Sequence, residues 1–170
     1  MTSIIIPNSV TGELGDYTFK GCTLLAKVTI GDGVESIESE TFRDCEALEE
    51  ISFGTGLKRI ARDTFSGCTF LSKITCHSAT PPAASLSTFY RYTYDHADLY
   101  VPQESLSDYK NDNVWKRFLN LHGDDPTGIE GIDAEGAAED EQRIYDLQGR
   151  KLKMPVRGLN IINGKKVVVK

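Results

Sequence analysis

Phe19, Phe42 and Phe65 stand 23 residues apart, and each is followed three residues later by a cysteine (Cys22, Cys45, Cys68) and six residues later by a leucine (Leu25, Leu48, Leu71). A fixed period of this size means that one supersecondary unit is repeated, the signature of a solenoid. A single unit cannot bury its apolar side. Stacked units share a continuous core, so stability becomes a nearest-neighbour property.

Beyond the leucine the copies read Leu25-x-x-Val28-x-Ile30, Leu48-x-x-Ile51-x-Phe53 and Leu71-x-x-Ile74-x-Cys76, which resembles the leucine-rich-repeat strand pattern L-x-x-L-x-L. Strand alternation places Val28 and Ile30 on the core face and Thr29 on the other. Gly31-Asp32-Gly33 and Gly54-Thr55-Gly56 then supply turn conformations. A second apolar pair follows (Val34 with Ile37, Leu57 with Ile60), then Thr-Phe and a corner at Gly21, Asp44 or Gly67, residues that tolerate positive φ. The first copy, from Ile4-Ile5-Ile6 through Leu14 and Phe19, carries one extra residue near Val10. Three full coils are expected, with a fourth that starts at Ile74 and is broken by Pro81-Pro82. The fold class is a β-rich solenoid, α/β by convention, of three to four coils.

Stacked strands lie about 4.8 Å apart, so each residue sits above its equivalent one period earlier. This puts Lys27, Glu50 and Lys73 in a column of alternating charge beside a hydroxyl column of Thr29, Ser52 and Thr75. Exposed pairs of this kind contribute about 0.2–1 kcal/mol each. They tune register more than stability. The cysteines form an interior ladder of free thiols, because parallel side chains keep Cβ atoms near 4.8 Å, beyond the roughly 3.8 Å of a disulfide.

The length of 170 residues admits one or two domains, and the 39% apolar and 26% charged composition is that of a soluble protein. No run approaches the roughly 18 apolar residues of a membrane span. Met1-Thr2-Ser3-Ile4-Ile5-Ile6-Pro7 has no basic region or cleavage site and does not read as a secretion signal. It enters a repeat strand directly, so the first coil has no partner above it, although terminal repeats need a polar cap. The expectation is a piece of something longer, with association through that uncapped coil.

Charge divides the chain into three: residues 1–122 carry 16 acidic and 11 basic residues, 123–142 carry 8 acidic and none basic, and 143–170 carry 1 acidic and 8 basic. The middle segment, rich in Gly, Ala and acids, reads as a tether. Before it, Leu99-Tyr100-Val101-Pro102 reads as a last strand. Leu106 with Tyr109, then Trp115 with Phe118 and Leu119, recur at helical spacing and read as a carboxy-terminal helical cap. The trio Tyr109, Trp115 and Phe118 offers a carbohydrate or peptide platform, but this spacing favours core packing. After the tether, Asn163-Gly164 between apolar runs is a hairpin cue, and 143–170 reads as a small antiparallel β tail.

Catalytic patterns are scarce. Cys76 and His77 are strand neighbours and face opposite ways, which rules out a dyad between them. His96 beside Asp95, in a loop with Tyr90, Tyr92 and Tyr94, is a candidate general base without a nucleophile spaced to meet it. The cysteines lack C-x-x-C pairing, so zinc is not expected. There is no phosphate-loop pattern. The basic tail is too short for a nucleic-acid module, and lysines flanking strands discourage edge aggregation. No cofactor is expected.

The Phe-x-x-Cys-x-x-Leu consensus resembles the BspA-like leucine-rich-repeat family of bacterial surface proteins over roughly residues 3–80. The Pro-Pro break, the Leu-Tyr-Val-Pro strand and the Tyr…Trp-x-x-Phe segment look like the usual ending of such repeats. In the tail, Ile-Tyr-Asp-Leu-x-Gly-Arg, Gly-Leu-Asn-Ile-Ile and Gly-Lys-Lys-Val-Val-Val-Lys resemble a shortened type IX secretion sorting domain. The resemblance implies export and display at the cell surface. Two readings follow: a non-enzymatic adhesion module holding a protein or glycan, and a passive spacer or assembly part of a larger exported protein. A hydrolase with its site in the Tyr- and His-rich loop is a weaker third. For the first reading the candidate contact surface is Lys27, Thr29, Glu50, Ser52, Lys73 and Thr75, with Tyr92 and Tyr94 of the loop 77–98.

Overall fold

The computed structural model describes residues 2–123 and the strands Ile144–Tyr145, Lys151–Leu152, Gly158–Ile162 and Lys165–Val169. The chain divides into two compact units, Met1–Gly128 and Ile129–Lys170. Apart from Gly123, the acidic tether lies outside the described residues.

In the first unit the strands are β1 (Thr2–Ile6), β2 (Gly12–Leu14), β3 (Leu25–Ile30), β4 (Val34–Ile37), β5 (Glu50–Phe53), β6 (Arg59–Ile60), β7 (Lys73–Cys76), β8 (Asp98–Tyr100) and β9 (Asn120–His122). They form two open parallel sheets, ordered β1-β3-β5-β7-β8-β9 and β2-β4-β6. Between β3 and β5, and again between β5 and β7, partners lie one period apart, with Val28 opposite Ile51 and Ile51 opposite Ile74. The extra residue of the first copy falls between the two sheets: Ile6 pairs with Ile30, 24 on, whereas Leu14 pairs with Ile37, 23 on.

Each inward column is buried. Leu25, Leu48 and Leu71 continue into Val28, Ile51 and Ile74, and across the core Val34, Ile37, Leu57 and Ile60 close the second side. The phenylalanines stack face to face, Phe19 on Phe42 at 5.2 Å, Phe42 on Phe65 at 5.5 Å, and Phe65 on Phe89 at 5.2 Å. Phe89 extends the column by a member that the 23-residue count does not reach, because it follows Phe65 by 24. Pro81-Pro82 does not break the repeat. Neither proline has an N–H to lose, Ala83 just after them returns to the ladder with Lys58 and Ile60, and the Pro82 carbonyl accepts the Trp115 Nε1–H at 2.7 Å.

The corner of each of the first three coils holds two left-handed residues. Gly21, Asp44 and Gly67 have φ of 72°, 59° and 80°, as residue type suggests. Tyr17, Glu40 and Asp63 also take φ near 60° at the same period, which their residue types do not announce. Inter-coil hydrogen bonds hold that strain: Glu40, Phe42 and Asp44 donate N–H to the carbonyls of Arg62, Thr64 and Ser66 in the next coil. Thr41, Thr64 and Thr88, each just before a phenylalanine, are buried. Thr64 Oγ1 donates to Ala61 O (2.7 Å) in its own coil and to Glu38 O (3.2 Å) in the preceding one.

The glycine turns have a different cause from the one expected. Gly31, Gly33, Gly54 and Gly56 are not at positive φ. A Cβ on Gly56 would collide with the Asp32 carbonyl oxygen, and one on Gly54 would lie 2.6 Å from the Asp32 nitrogen. Here glycine permits neighbouring coils to approach.

After β7 the chain forms α1 (Arg91–His96), α2 (Leu106–Asn111) and two short 3-10 turns, Gln103–Ser105 and Trp115–Arg117. Phe89 meets the rings of Tyr94, Trp115 and Phe118 edge-on at 5.3–5.8 Å, so the stack ends in a T-shaped aromatic cluster. Tyr109, Trp115 and Phe118 are buried, whereas Leu119 is exposed because the helical turn stops at Arg117. In the second unit β10 (Ile144–Tyr145), β11 (Lys151–Leu152), β12 (Gly158–Ile162) and β13 (Lys165–Val169) pair antiparallel in the order β11-β10-β12-β13.

Candidate functional site

After a register shift between Thr2 and Ser3, parallel pairing stays in step and turns the outward positions of the large sheet into two columns. In the first, Lys27 stands opposite Glu50, Glu50 opposite Lys73 and Lys73 opposite Asp98. The second runs Ile5, Thr29, Ser52, Thr75, Tyr100 and His122. Both columns thus extend beyond the residues found by periodicity. Asp98, Tyr100 and His122 were missed because β8 follows β7 by 25 residues and β9 follows β8 by 22. The strand signal Leu99-Tyr100-Val101 was present, but its partner was not.

Lys27 Nζ lies 2.6 Å from Glu50 Oε2. That hydrogen bond, with the charges of Lys27 and Lys73, holds the Glu50 carboxyl below its ordinary pKa against a smaller opposing effect of burial. At the other end His122 Nε2 lies 2.9 Å from Asp98 Oδ1, and the His122 ring stacks on Tyr100 at 4.8 Å. The face therefore passes from an apolar side chain at Ile5, through hydroxyls and paired charges, to an aromatic–imidazole stack.

Lys27 is exposed, and Thr29, Glu50, Ser52 and Lys73 are half-exposed. Thr75 is buried at 5% exposure, in register with the larger Tyr100, and so drops out of the contact surface. Tyr92 is exposed, its ring stacked on His96 at 3.6 Å. Tyr94 is not exposed. Its ring packs against Phe89 and Phe118, and its hydroxyl points to the Ser85 and Leu86 carbonyls. Desolvation raises its pKa to about 12. Of the loop pair, Tyr92 alone remains on the surface.

His96 Nδ1 lies 3.0 Å from the Tyr92 carbonyl oxygen, and among the described residues no hydroxyl or thiol hydrogen-bonds to the ring. The thiols face inward. Cys45 and Cys68 donate S–H to the carbonyls of Phe19 and Phe42, each at 3.1 Å, and Tyr109 donates its O–H to Cys76 Sγ at 3.2 Å. All four cysteines are free. Burial pushes the Cys45 thiol up to about 11 and raises those of Cys68 and Cys76 as well. Among the described residues no three His, Cys, Asp or Glu side chains cluster as metal ligands, and no helix is long and apolar enough to cross a membrane.

None of the curated proteins compared with the chain matches it. A family description does: the BspA type leucine-rich repeat region recurs in six copies over residues 1–106, past the prolines and through α1 and β8. With its Phe, Cys and Leu columns stacked in register, the chain belongs to the BspA-type leucine-rich repeat family.

Proposed function

We propose that the chain is a non-enzymatic binding module of an exported or cell-surface protein, holding a protein or glycan partner on the outward face of its large sheet. The observation that supports this most directly is the pair of in-register columns ending in Asp98, Tyr100 and His122. A rigid strand face presents these groups at fixed spacings of about 4.8 Å, and repeat architectures use such extended surfaces for recognition. The tail's likeness to a type IX sorting domain supports export, and sorting is the role proposed for residues 143–170.

A passive spacer is the second reading. It is favoured by the Lys27–Glu50 pair, which satisfies two charges of the column without a partner. A glycan array and a purified-protein panel separate the two, using wild type, Glu50→Lys, Tyr100→Ala and Tyr92→Ala. Recognition on the strand face predicts that Tyr100→Ala weakens binding and that Glu50→Lys, which makes three successive column positions cationic, shifts preference to anionic partners in a salt-sensitive way. Identical profiles for all four proteins leave the spacer reading standing.

A further inference from the structure

Many basic side chains of the repeats are matched to acids, Lys20 and Arg43 to Glu40, Lys27 to Glu50, Lys58 to Glu35, and Arg59 to Glu38. Arg91, Lys116 and Arg117 stand apart from these pairs by falling together. Among the described residues none of the three makes an ion pair, yet all three line one groove between α1 and the Trp115–Arg117 turn. The groove consists of two adjoining depressions of about 250 and 340 Å³ that share Arg91, Tyr94 and Arg117. Exposed Leu119 borders one and exposed Leu86 the other, with the single carboxylate of Asp95 on the first.

Its walls are fixed to each other. Leu119 N–H donates to the Tyr94 carbonyl at 3.0 Å, and the Tyr94 and Phe118 rings lie 4.9 Å apart. Guanidinium forks recognise carboxylate by bidentate hydrogen bonds, and here the backbone that carries the two of them is already ordered. Leu86 and Leu119 add apolar contacts beside it. The groove exposes no ring face for a sugar to stack on, since Tyr94 is only 7% exposed and its hydroxyl is engaged. Residues 1–122 carry 16 acids against 11 bases, so a long polyanion meets repulsion outside the groove.

We propose that the Arg91–Arg117 groove is a second binding site, for a short acidic peptide segment in which a carboxylate neighbours an apolar side chain. The probe is a fluorescein-labelled peptide of alternating leucine and glutamate, titrated into the full chain and followed by anisotropy. Controls are the same peptide with glutamine for glutamate and a heparin tetrasaccharide. Saturable binding of the glutamate peptide is expected. The double substitution Arg91→Ala with Arg117→Ala should weaken it by about tenfold or more, and the paired arginine-to-lysine variant, which keeps charge but loses the fork, should fall between. Arg62→Ala, at an exposed arginine outside the groove, should change nothing. All substituted side chains are exposed, and unchanged circular dichroism melts are the check that the variants fold. Absence of saturable binding, equal binding of the glutamine peptide, preference for the tetrasaccharide, or loss in Arg62→Ala equal to that in the double variant would each overturn the proposal. The strand-face variants do not touch this groove, so its failure and that of the recognition reading are read separately.

Discussion

The rings of Phe42 and Phe65 lie 5.5 Å apart and 3° from parallel, one period apart in the chain. Both are fully buried. Phe19, at the near end of the same stack, is only half-buried. Removing a ring with neighbours on both sides leaves a cavity that the rigid ladder cannot collapse. Phe42→Ala should therefore cost about 3–5 kcal/mol, and Phe19→Ala clearly less. Denaturant melts compare them directly, and a loss under about 1 kcal/mol at Phe42 would contradict the stacked core.

The thiols predict an alkaline weakness. The Cys45 thiol titrates near 9.0 when unfolded and at about 11 when folded, because burial disfavours the thiolate. Below pH 9 its contribution is complete. Between pH 9 and 11 the unfolded state releases the proton first, so stability falls as pH rises, and Cys68 and Cys76 add in the same direction. Chemical denaturation at pH 8 and pH 10.5 should show the decline, and Cys45→Ser should reduce it. Titration of the denatured, unreduced protein should find four free thiols.

Gly56 tests the close approach of coils. Its conformation is open to any residue, yet an added Cβ meets the Asp32 carbonyl of the preceding coil. Gly56→Ala should destabilise by about 1–3 kcal/mol, the usual range for overpacking. A neutral or stabilising effect, as expected where only unfolded-state entropy changes, would show that the coils yield.

Asp32 joins three successive coils. Its carboxylate accepts the Thr55 N–H at 2.7 Å and the Asn8 Nδ2–H at 3.3 Å, while its own N–H donates to Asn8 Oδ1 at 2.9 Å. The Thr55 hydrogen bonds, backbone first, hold its carboxyl below the ordinary range. Asp32→Asn should be milder than Asp32→Ala, and the latter should cost about 1 kcal/mol. The difference between wild type and Asp32→Ala should shrink as pH falls through the depressed pKa, because the group's contribution is present above the unfolded pKa and lost on protonation.

The phenylalanine, cysteine and leucine columns, the two strand positions per coil and the left-handed corners at Gly21, Asp44 and Gly67 were legible from period and residue type alone. Each is a local rule applied at equal spacing. Tyr17, Glu40 and Asp63 escaped because their left-handed backbone follows from inter-coil hydrogen bonds, not from side-chain preference. Thr75 and Tyr94 were misjudged as surface for a related reason. Alternation says which way Thr75 leaves its strand, but not that Tyr100 covers it, and residue type along α1 does not reveal that Tyr94 packs against Phe89 and Phe118.

Sequence alone therefore determined a repeating parallel ladder, its core and the start of its outward columns, because one conformation repeated at a constant period needs only local information. Tertiary structure decided where that constancy ends. The strands after β7 return at 25 and then 22 residues, intervals that no period reveals, and only their pairing sets Asp98, Tyr100 and His122 on the same face as Lys27 and Glu50. Likewise, Arg91 and Arg117 are 26 residues apart in different elements. The packing of Tyr94 against Phe118 makes them the walls of one groove.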